Sequence, residues 1–235
     1  PPARMPTAPA APPAAPPRAS IARWLTVGLA SYACFAVAMA LFVGLLPPLA
    51  LVAVADRRPG SRAVRGFASW FLRLFFVRVL ALVGVHRFVE LPERRALARR
   101  PGRVYVANHR SLLDALLALA WFPRARVPVS AAYLRRPLIG RAIRLSGCVP
   151  IDVRSPAAAL AGIRAARAAL AAGDSLFVFP EGTRARGPRP RAFSDVFFRV
   201  ALDEGRPVVP VVLHSDVPYL APGTPSALTA RRARW

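Results

Sequence analysis

The chain has 235 residues, enough for one domain with a substantial core plus an appended segment. Its formal net charge is +23 and 55% of its residues are apolar, which predicts a polyanionic neighbour and favours an anionic membrane surface over nucleic acid. Its two cysteines, Cys34 and Cys148, exclude a disulfide framework and lack metal-ligand spacing.

Two segments precede the globular pattern. Residues 1–20 are dominated by Pro and Ala, bury almost no apolar surface and are predicted to be a disordered tail. Residues 21–58 are predicted to be a membrane anchor, because the stretch 24–55 is apolar and uncharged and has arginines on both sides. As a helix that stretch would measure roughly 48 Å, which fits a tilted span or a hairpin bent at its Pro pair. A signal peptide is the alternative, since residues 53–55 read A-x-A.

Residues 59–84 are predicted to form an amphipathic interfacial helix. Its polar stripe consists of Arg62, Arg65, Ser69 and Arg73, and aromatic and leucine side chains cover much of the remaining surface. Such a helix can lie in the plane of the membrane with its arginines toward lipid phosphates. The alternative is a helix that packs on the core and keeps its arginines in solvent.

From residue 85 to 235 the pattern is that of an α/β domain. Short apolar runs alternate with helical stretches, which predicts a largely parallel central sheet flanked by helices. The predicted strands lie in VHRFVEL, VYVAN, VPVSA, CVPIDV, SLFVF and PVVPVVL. The clearest helix is 157–172, with Ser155 as N-cap, Pro156 at the first helical position and Gly173 just past the end.

The stretch VYVANHRSLLD carries the first candidate site. Its VYVA run is predicted to be a central strand that delivers Asn108 and His109 to the C-terminal edge of the sheet, where open α/β sheets bind ligands. Ser111 and Asp114 fit a capping box for the following helix. The Asp114 carboxylate could instead accept the Nδ1 proton of His109 and leave Nε2 as a general base.

The stretch LFVFPEGTR carries the second candidate site. It again runs from a strand into a loop, which holds Glu181, Gly182, Thr183 and Arg184. Gly182 permits a tight turn with exposed amides, and two arginines beside it, Arg184 and Arg186, offer planar donors suited to a phosphate. The alternative is an arginine-rich surface turn. No G-x-S-x-G or complete P-loop sequence is present, so a serine hydrolase and a P-loop nucleotidase are both excluded.

NHRSLLD (108–114) and FPEGTR (179–184) resemble the first and third motifs of the glycerolipid acyltransferase family, whose best-known members are 1-acylglycerol-3-phosphate acyltransferases. The runs at 147–154 and 207–213 resemble that family's second and fourth motifs, in the same order. The resemblance implies an α/β acyltransferase domain preceded by membrane-anchoring helices. It also implies membrane lipids as partners.

The resemblance also implies a reaction and roles for individual residues. His109 would deprotonate an acceptor hydroxyl and Asp114 would orient His109, while Asn108 and Ser111 would support the loop. The oxygen would then attack the thioester of an acyl-CoA or acyl-carrier protein, which serves as co-substrate, with no cofactor and no metal. The substrate-binding residues would be Glu181, Gly182, Thr183, Arg184 and Arg154, with Arg184 as the direct phosphate contact and Glu181 shaping the loop. Arg154 follows Val153, which holds the position where relatives often carry arginine.

The acceptor expected from the resemblance is 1-acyl-sn-glycerol 3-phosphate, giving phosphatidic acid. Another lyso-lipid, such as a lyso-ornithine lipid or a glycolipid, is an alternative acceptor. A rival of another class is a non-catalytic basic protein that binds lipid or nucleic acid, although no nucleic-acid-binding motif accompanies the charge, so we expect no nucleic-acid partner. We expect the domain on the cytoplasmic side of a membrane, the inner membrane if the source is bacterial, because thioester donors are cytosolic.

Overall fold

The structure is a computed structural model that describes residues 60–74, 100–185 and 191–214, with isolated positions 47, 48, 51, 86, 87, 98, 233 and 234. The helices are α1 (Arg62–Arg73), α2 (Leu112–Trp121), α3 (Pro137–Leu145), α4 (Pro156–Ala171) and α5 (Val196–Asp203), with a 3₁₀ helix at Ala131–Arg135. The strands are β1 (His86–Arg87), β2 (Val104–Ala107), β3 (Ala125–Arg126), β4 (Pro128–Ser130), β5 (Val149–Ile151), β6 (Ser175–Val178), β7 (Val208–Val211) and β8 (Ala233–Arg234).

The central sheet is parallel and has the strand order β3-β6-β2-β7. In its register, Tyr105 of β2 lies between Phe177 of β6 and Val209 of β7. Two further parallel pairs, β4-β5 and β1-β8, lie outside this sheet. The prediction of a largely parallel sheet flanked by helices is confirmed. Strand β3, which has only two residues, was not predicted because so short a run carries no periodic signal.

Two apolar clusters cover the faces of the sheet. One contains Tyr105 and Phe177 and packs against α2, while the other contains Val104 and Leu176 and packs against α4 and α5. This division follows from the alternation of side chains along a strand. Every residue of β6 is buried, as expected for a parallel strand covered on both faces. Both faces of the sheet are therefore covered, and the loops that follow its strands lie at its C-terminal edge.

The predicted boundaries of the longest described helix, α4, are confirmed to within one residue. The Ser155 side chain accepts a hydrogen bond from the Ala158 amide at 3.2 Å, and Pro156 occupies the first turn. Gly173 has φ +81°, the left-handed conformation that ends helices. These local signals place the helix independently of what it packs against.

Helix α1 lies within the predicted 59–84 segment, but its polar stripe points inward at two positions. Arg65 is 3% exposed and bonds Asp174, and Ser69 is fully buried and donates to the Ala120 carbonyl at 2.6 Å. The expectation that the arginine stripe faces lipid phosphates is therefore wrong at these positions. The alternative of solvated arginines also fails for Arg65. A buried acidic partner, supplied by a residue far away in the sequence, decides the orientation.

The predicted tail (1–20) lies outside the described residues. So does the anchor (21–58), except for Pro47, Pro48 and Leu51. Among the helices that the structure describes, none combines the length and the apolar character needed to cross a bilayer.

Candidate active site

The two predicted motifs meet at the C-terminal edge of the central sheet. Strand β2 ends at Ala107 and its neighbour β6 ends at Val178, and the two strands run parallel in register. The residues that follow each strand therefore come out at the same edge. A backbone hydrogen bond holds the two motifs together, since the Ala185 amide donates to the His109 carbonyl at 2.8 Å.

His109 and Asp114 are in direct contact. The Nδ1 atom of His109 lies 3.1 Å from Oδ2 of Asp114, and the Asp114 side chain is only 2% exposed. The His109 side chain keeps 16% of its surface exposed, so the ring is reachable from solvent. A carboxylate at Nδ1 favours the tautomer that carries its proton there, which leaves Nε2 as the proton acceptor.

Asp114 also caps helix α2, so it takes part in the capping box and contacts His109 at the same time. The same Oδ2 atom accepts the amide of Arg110 at 2.7 Å and the amide of Ser111 at 2.8 Å. The Ser111 hydroxyl in turn accepts the Leu113 amide at 3.0 Å, which completes a capping box. The amide bonds hold the carboxylate in place, and the positive end of the helix dipole favours its charge.

Glu181 contacts the backbone of two other segments. Its Oε1 atom accepts the backbone amide of His109 at 2.8 Å, and its Oε2 atom accepts the amide of Arg191 at 2.9 Å. The residue is 7% exposed. A carboxylate would also repel a phosphate. Glu181 therefore joins three segments of chain, and its contacts are with the backbone of the candidate base.

The other residues of the second motif are more accessible. Gly182 adopts φ +64°, a left-handed conformation that suits glycine, and turns the chain sharply after Glu181. Gly182 and Thr183 are exposed and Arg184 is half-buried. This turn is the part of the motif that a ligand can approach.

Asn108 links the end of β2 to the chain after β7. Its Nδ2 atom donates to the Leu213 carbonyl and its Oδ1 atom accepts the Leu213 amide, both at 2.8 Å. These two bonds are the kind of contact that a loop-supporting role requires. They also hold the residue before His109 on the side opposite to β6.

Arg154 pairs with an acidic residue that is close to it in the chain. Its guanidinium bonds the Asp152 carboxylate with both Nε and Nη2, and its side chain is 67% exposed. These hydrogen bonds hold the pKa of Asp152 well below its usual range. The structure thus gives Arg154 an acidic partner two residues away, which the sequence analysis did not anticipate.

Phe179 is a site residue to which the sequence analysis assigned no role. Its ring stacks on the His109 ring, with centroids 4.2 Å apart and planes inclined by 23°. The available signal was its position directly after β6, the strand that pairs with β2. A phenylalanine after an apolar strand reads as core, however, so its neighbour could not be predicted.

The chain is similar in sequence to known 1-acyl-sn-glycerol-3-phosphate acyltransferases. The chain is 36% identical over 112 residues to a 1-acyl-sn-glycerol-3-phosphate acyltransferase of Cocos nucifera, covering 47% of this chain and 36% of that protein. It is 30% identical over 164 residues to the chloroplastic 1-acyl-sn-glycerol-3-phosphate acyltransferase LPAT1 of Arabidopsis thaliana, covering 68% of this chain and 46% of that protein. The chain thus spans less than half the length of these curated relatives.

A solved structure shares the fold. The crystal structure of PlsC from Thermotoga maritima, a 1-acyl-sn-glycerophosphate acyltransferase, matches with a TM-score of 0.66 at 22% identity, covering 89% of this chain and 81% of that one. A family model described as Acyltransferase matches residues 88–214, which include both motifs and the whole central sheet. The chain therefore belongs to the acyltransferase family.

Proposed function

We propose that the chain transfers an acyl group from a thioester, acyl-CoA or acyl-carrier protein, to the free hydroxyl of a lysophospholipid. The observation that carries this proposal is the 3.1 Å contact between His109 Nδ1 and Asp114 Oδ2 at the C-terminal edge of the sheet. The proposed acceptor is 1-acyl-sn-glycerol 3-phosphate, which would give phosphatidic acid. The relatives of Cocos nucifera and Arabidopsis thaliana, both 1-acyl-sn-glycerol-3-phosphate acyltransferases, support that acceptor.

In the proposed mechanism, His109 acts as general base and no acyl-enzyme forms. Nε2 of His109 takes the proton of the acceptor hydroxyl while the oxygen attacks the thioester carbonyl. The tetrahedral intermediate collapses to the ester and expels the thiolate, which takes the proton back from the imidazolium. Asp114 stabilises the charge on the ring between these two steps.

The exposed turn after β6 is the proposed phosphate site. Gly182 and Thr183 present backbone and hydroxyl groups, and Arg184 supplies a guanidinium suited to bidentate contact with a phosphate. Arg154 is a weaker candidate because Asp152 already occupies its guanidinium. Glu181 contributes indirectly by holding the turn to His109.

We also propose that residues 21–58 hold the protein in a membrane with the site on the cytoplasmic side. Because Arg65 and Ser69 face the protein, the surface of α1 that would meet lipid is the one with Trp70 and Leu74, which are 52% and 41% exposed.

The protein should sediment with membranes and require detergent for release. Release by high salt alone would show that residues 21–58 are not inserted and that attraction between the arginines and anionic lipid headgroups holds the protein on the membrane.

The direct test is a thioester-release assay with purified protein and a panel of lyso-lipid acceptors. We expect thiol release that depends on 1-acyl-sn-glycerol 3-phosphate and that falls by about 10²–10⁴-fold in His109→Ala. Full turnover in a folded His109→Ala protein would refute the mechanism. Preference for a lyso-ornithine lipid or a glycolipid in competition would change the acceptor. Vesicle binding without any thiol release would favour a non-catalytic lipid-binding protein.

The phosphate site has its own test in Arg184→Ala. Loss of a charge-assisted contact worth about 1.5–3 kcal/mol should raise the acceptor KM by about 10–150-fold and leave the donor KM nearly unchanged. Arg154→Ala is the matched control, and we expect it to change the acceptor KM little. An equal rise for donor and acceptor would give Arg184 a structural role instead.

A further inference from the structure

The ring of His109 has a neighbour that the proposed mechanism does not use. Phe179 lies on one face of the imidazole, with a centroid separation of 4.2 Å and an interplanar angle of 23°. Asp114 contacts the edge of the same ring at Nδ1. The imidazole therefore has one neighbour on its face and another at its edge, supplied by two different elements.

The Phe179 ring also contacts the aromatic core of the domain. The centroids of the Phe179 and Phe177 rings are 5.4 Å apart, and the Phe177 ring packs in turn on Tyr105 and Phe122. Phe177 and Tyr105 are almost completely buried. A continuous group of aromatic rings thus runs from the centre of the sheet to the candidate base. Because the core is close-packed, Phe179 has little freedom to leave the His109 face.

The backbone around this stack is also held. The Glu181 carboxylate accepts the His109 amide, and the Ala185 amide donates to the His109 carbonyl. The 179–185 segment therefore contacts His109 at the ring face, the amide and the carbonyl. The motif that resembles a substrate-binding loop also builds the environment of the base.

An aromatic face attracts a cation because of its negative quadrupole, and the attraction operates within about 6 Å of the ring centroid. His109 becomes a cation when it takes the acceptor proton. Two acidic residues contact His109, Asp114 at the ring and Glu181 at the backbone amide. Three further charged or titratable residues lie on segments that adjoin it in the chain or follow the neighbouring strands: Arg110, Arg184 after β6 and His214 after β7.

We propose that Phe179 is a positioning residue that holds the His109 ring and stabilises its protonated form during acyl transfer. This inference rests on the proposed role of His109 as general base. The expected signature is specific. Removing the ring disfavours the imidazolium, so the acidic limb of the pH profile should move to lower pH, whereas a purely structural defect lowers activity without moving that limb.

The experiment measures the pH profile of kcat/KM for the wild-type protein and for Phe179→Leu and Phe179→Met, two substitutions that remove the ring. We expect the pKa of the acidic limb to fall by about 0.5–1 unit and the plateau to fall roughly 10-fold. Phe179→Tyr keeps the ring and should retain both. An unchanged acidic limb in folded Leu and Met variants would overturn the proposal.

The matched control is Phe122→Leu, which removes another buried ring of the same group, one that packs on Tyr105 and Phe177, and keeps Phe177 beside Phe179. It should lower the thermal midpoint without shifting the acidic limb. A shift as large as that of Phe179→Leu would show that general repacking, and not the stacked ring, sets the pKa.

A second readout is independent of activity. NMR titration of histidine-labelled protein, with the His109 signal assigned from its loss in His109→Ala, reports the pKa of the ring directly. If Phe179→Leu lowers that pKa while His109→Ala keeps full turnover, the stack is real and the proposed mechanism is wrong. If His109→Ala is inactive and Phe179→Leu leaves the pKa unchanged, only the present inference fails.

Discussion

The Asp114 carboxylate has three donors on a single oxygen, so the same atom serves the capping box and the proposed support of His109. Asp114→Asn should reduce kcat by at least roughly 100-fold, because a neutral amide stabilises an imidazolium poorly. It should also lower the free energy of unfolding by about 1–2 kcal/mol through the weakened cap. Turnover and urea denaturation measured on the same preparation separate the two effects.

Ser111→Ala is the control for that prediction. It removes the hydroxyl that accepts the Leu113 amide but leaves the contact between His109 and Asp114. We expect a loss of about 1 kcal/mol in stability and activity in proportion to the folded fraction. If Asp114→Asn behaved in the same way, capping alone would explain Asp114.

Glu181 uses both carboxylate oxygens on backbone amides, so Glu181→Gln should affect the base more than the acceptor. A glutamine amide presents one acceptor oxygen and turns its NH₂ group toward the second amide, which leaves that donor unpaired. We expect kcat to fall roughly 10-fold with little change in the acceptor KM. Steady-state kinetics with varied acceptor concentration test this prediction. A rise in the acceptor KM at constant kcat would show instead that Glu181 contributes to acceptor binding.

At the scale of elements, helix α1 is attached to the sheet by a buried charge cluster. Asp174, the residue before β6, accepts Arg65 at 2.6 Å and Arg126 at 2.7 Å. Burial lowers the pKa of Arg65, and the charge of Asp174 opposes this shift. The Arg65 guanidinium also bonds the carbonyls of Gly60 and Pro123, so it connects the start of α1 to the end of α2.

Asp174→Asn should therefore weaken the attachment of α1. Removing one partner leaves Arg65 buried without a counter-charge, and we expect a loss of about 3–5 kcal/mol in the free energy of unfolding. The matched control is Asp203→Asn, which breaks an exposed ion pair with Arg167 and should cost at most about 1 kcal/mol. Urea denaturation followed by circular dichroism compares the two. Equal effects would mean that the buried cluster is not needed to hold α1.

The reaction rate of the Cys148 thiol measures how often the folded core opens. The thiol lies in the core cluster beneath α2, and burial raises its pKa. In a Cys34→Ser background at pH 8, the native protein should react with a thiol reagent roughly 100-fold or more slowly than the urea-unfolded protein, because the thiol is both protonated and covered. Fast labelling without denaturant would show that this part of the core opens locally.

The sequence determined the parts of this protein that depend on near neighbours along the chain. Strands β2 and β6 are continuous apolar runs, α4 has its cap, its first-turn proline and its terminal glycine, and both motifs follow strands. Parallel strands deliver their following residues to one edge, so pattern and topology place both motifs at that edge, whereas the pairing of β2 with β6 that brings His109 to the 179–185 segment came from the tertiary structure.

Only the tertiary structure decided which side chains face one another. The inward turn of Arg65 depends on Asp174, which lies 109 residues away in the chain. Gly60 and Gly147 approach so closely that a Cβ on Gly60 would lie 2.6 Å from the Gly147 Cα. The stack of Phe179 on His109 and the pairing of Glu181 with the His109 amide are contacts of the same kind. Periodicity reports whether a residue is buried but carries no information about its distant partner, because that partner is selected by packing between elements.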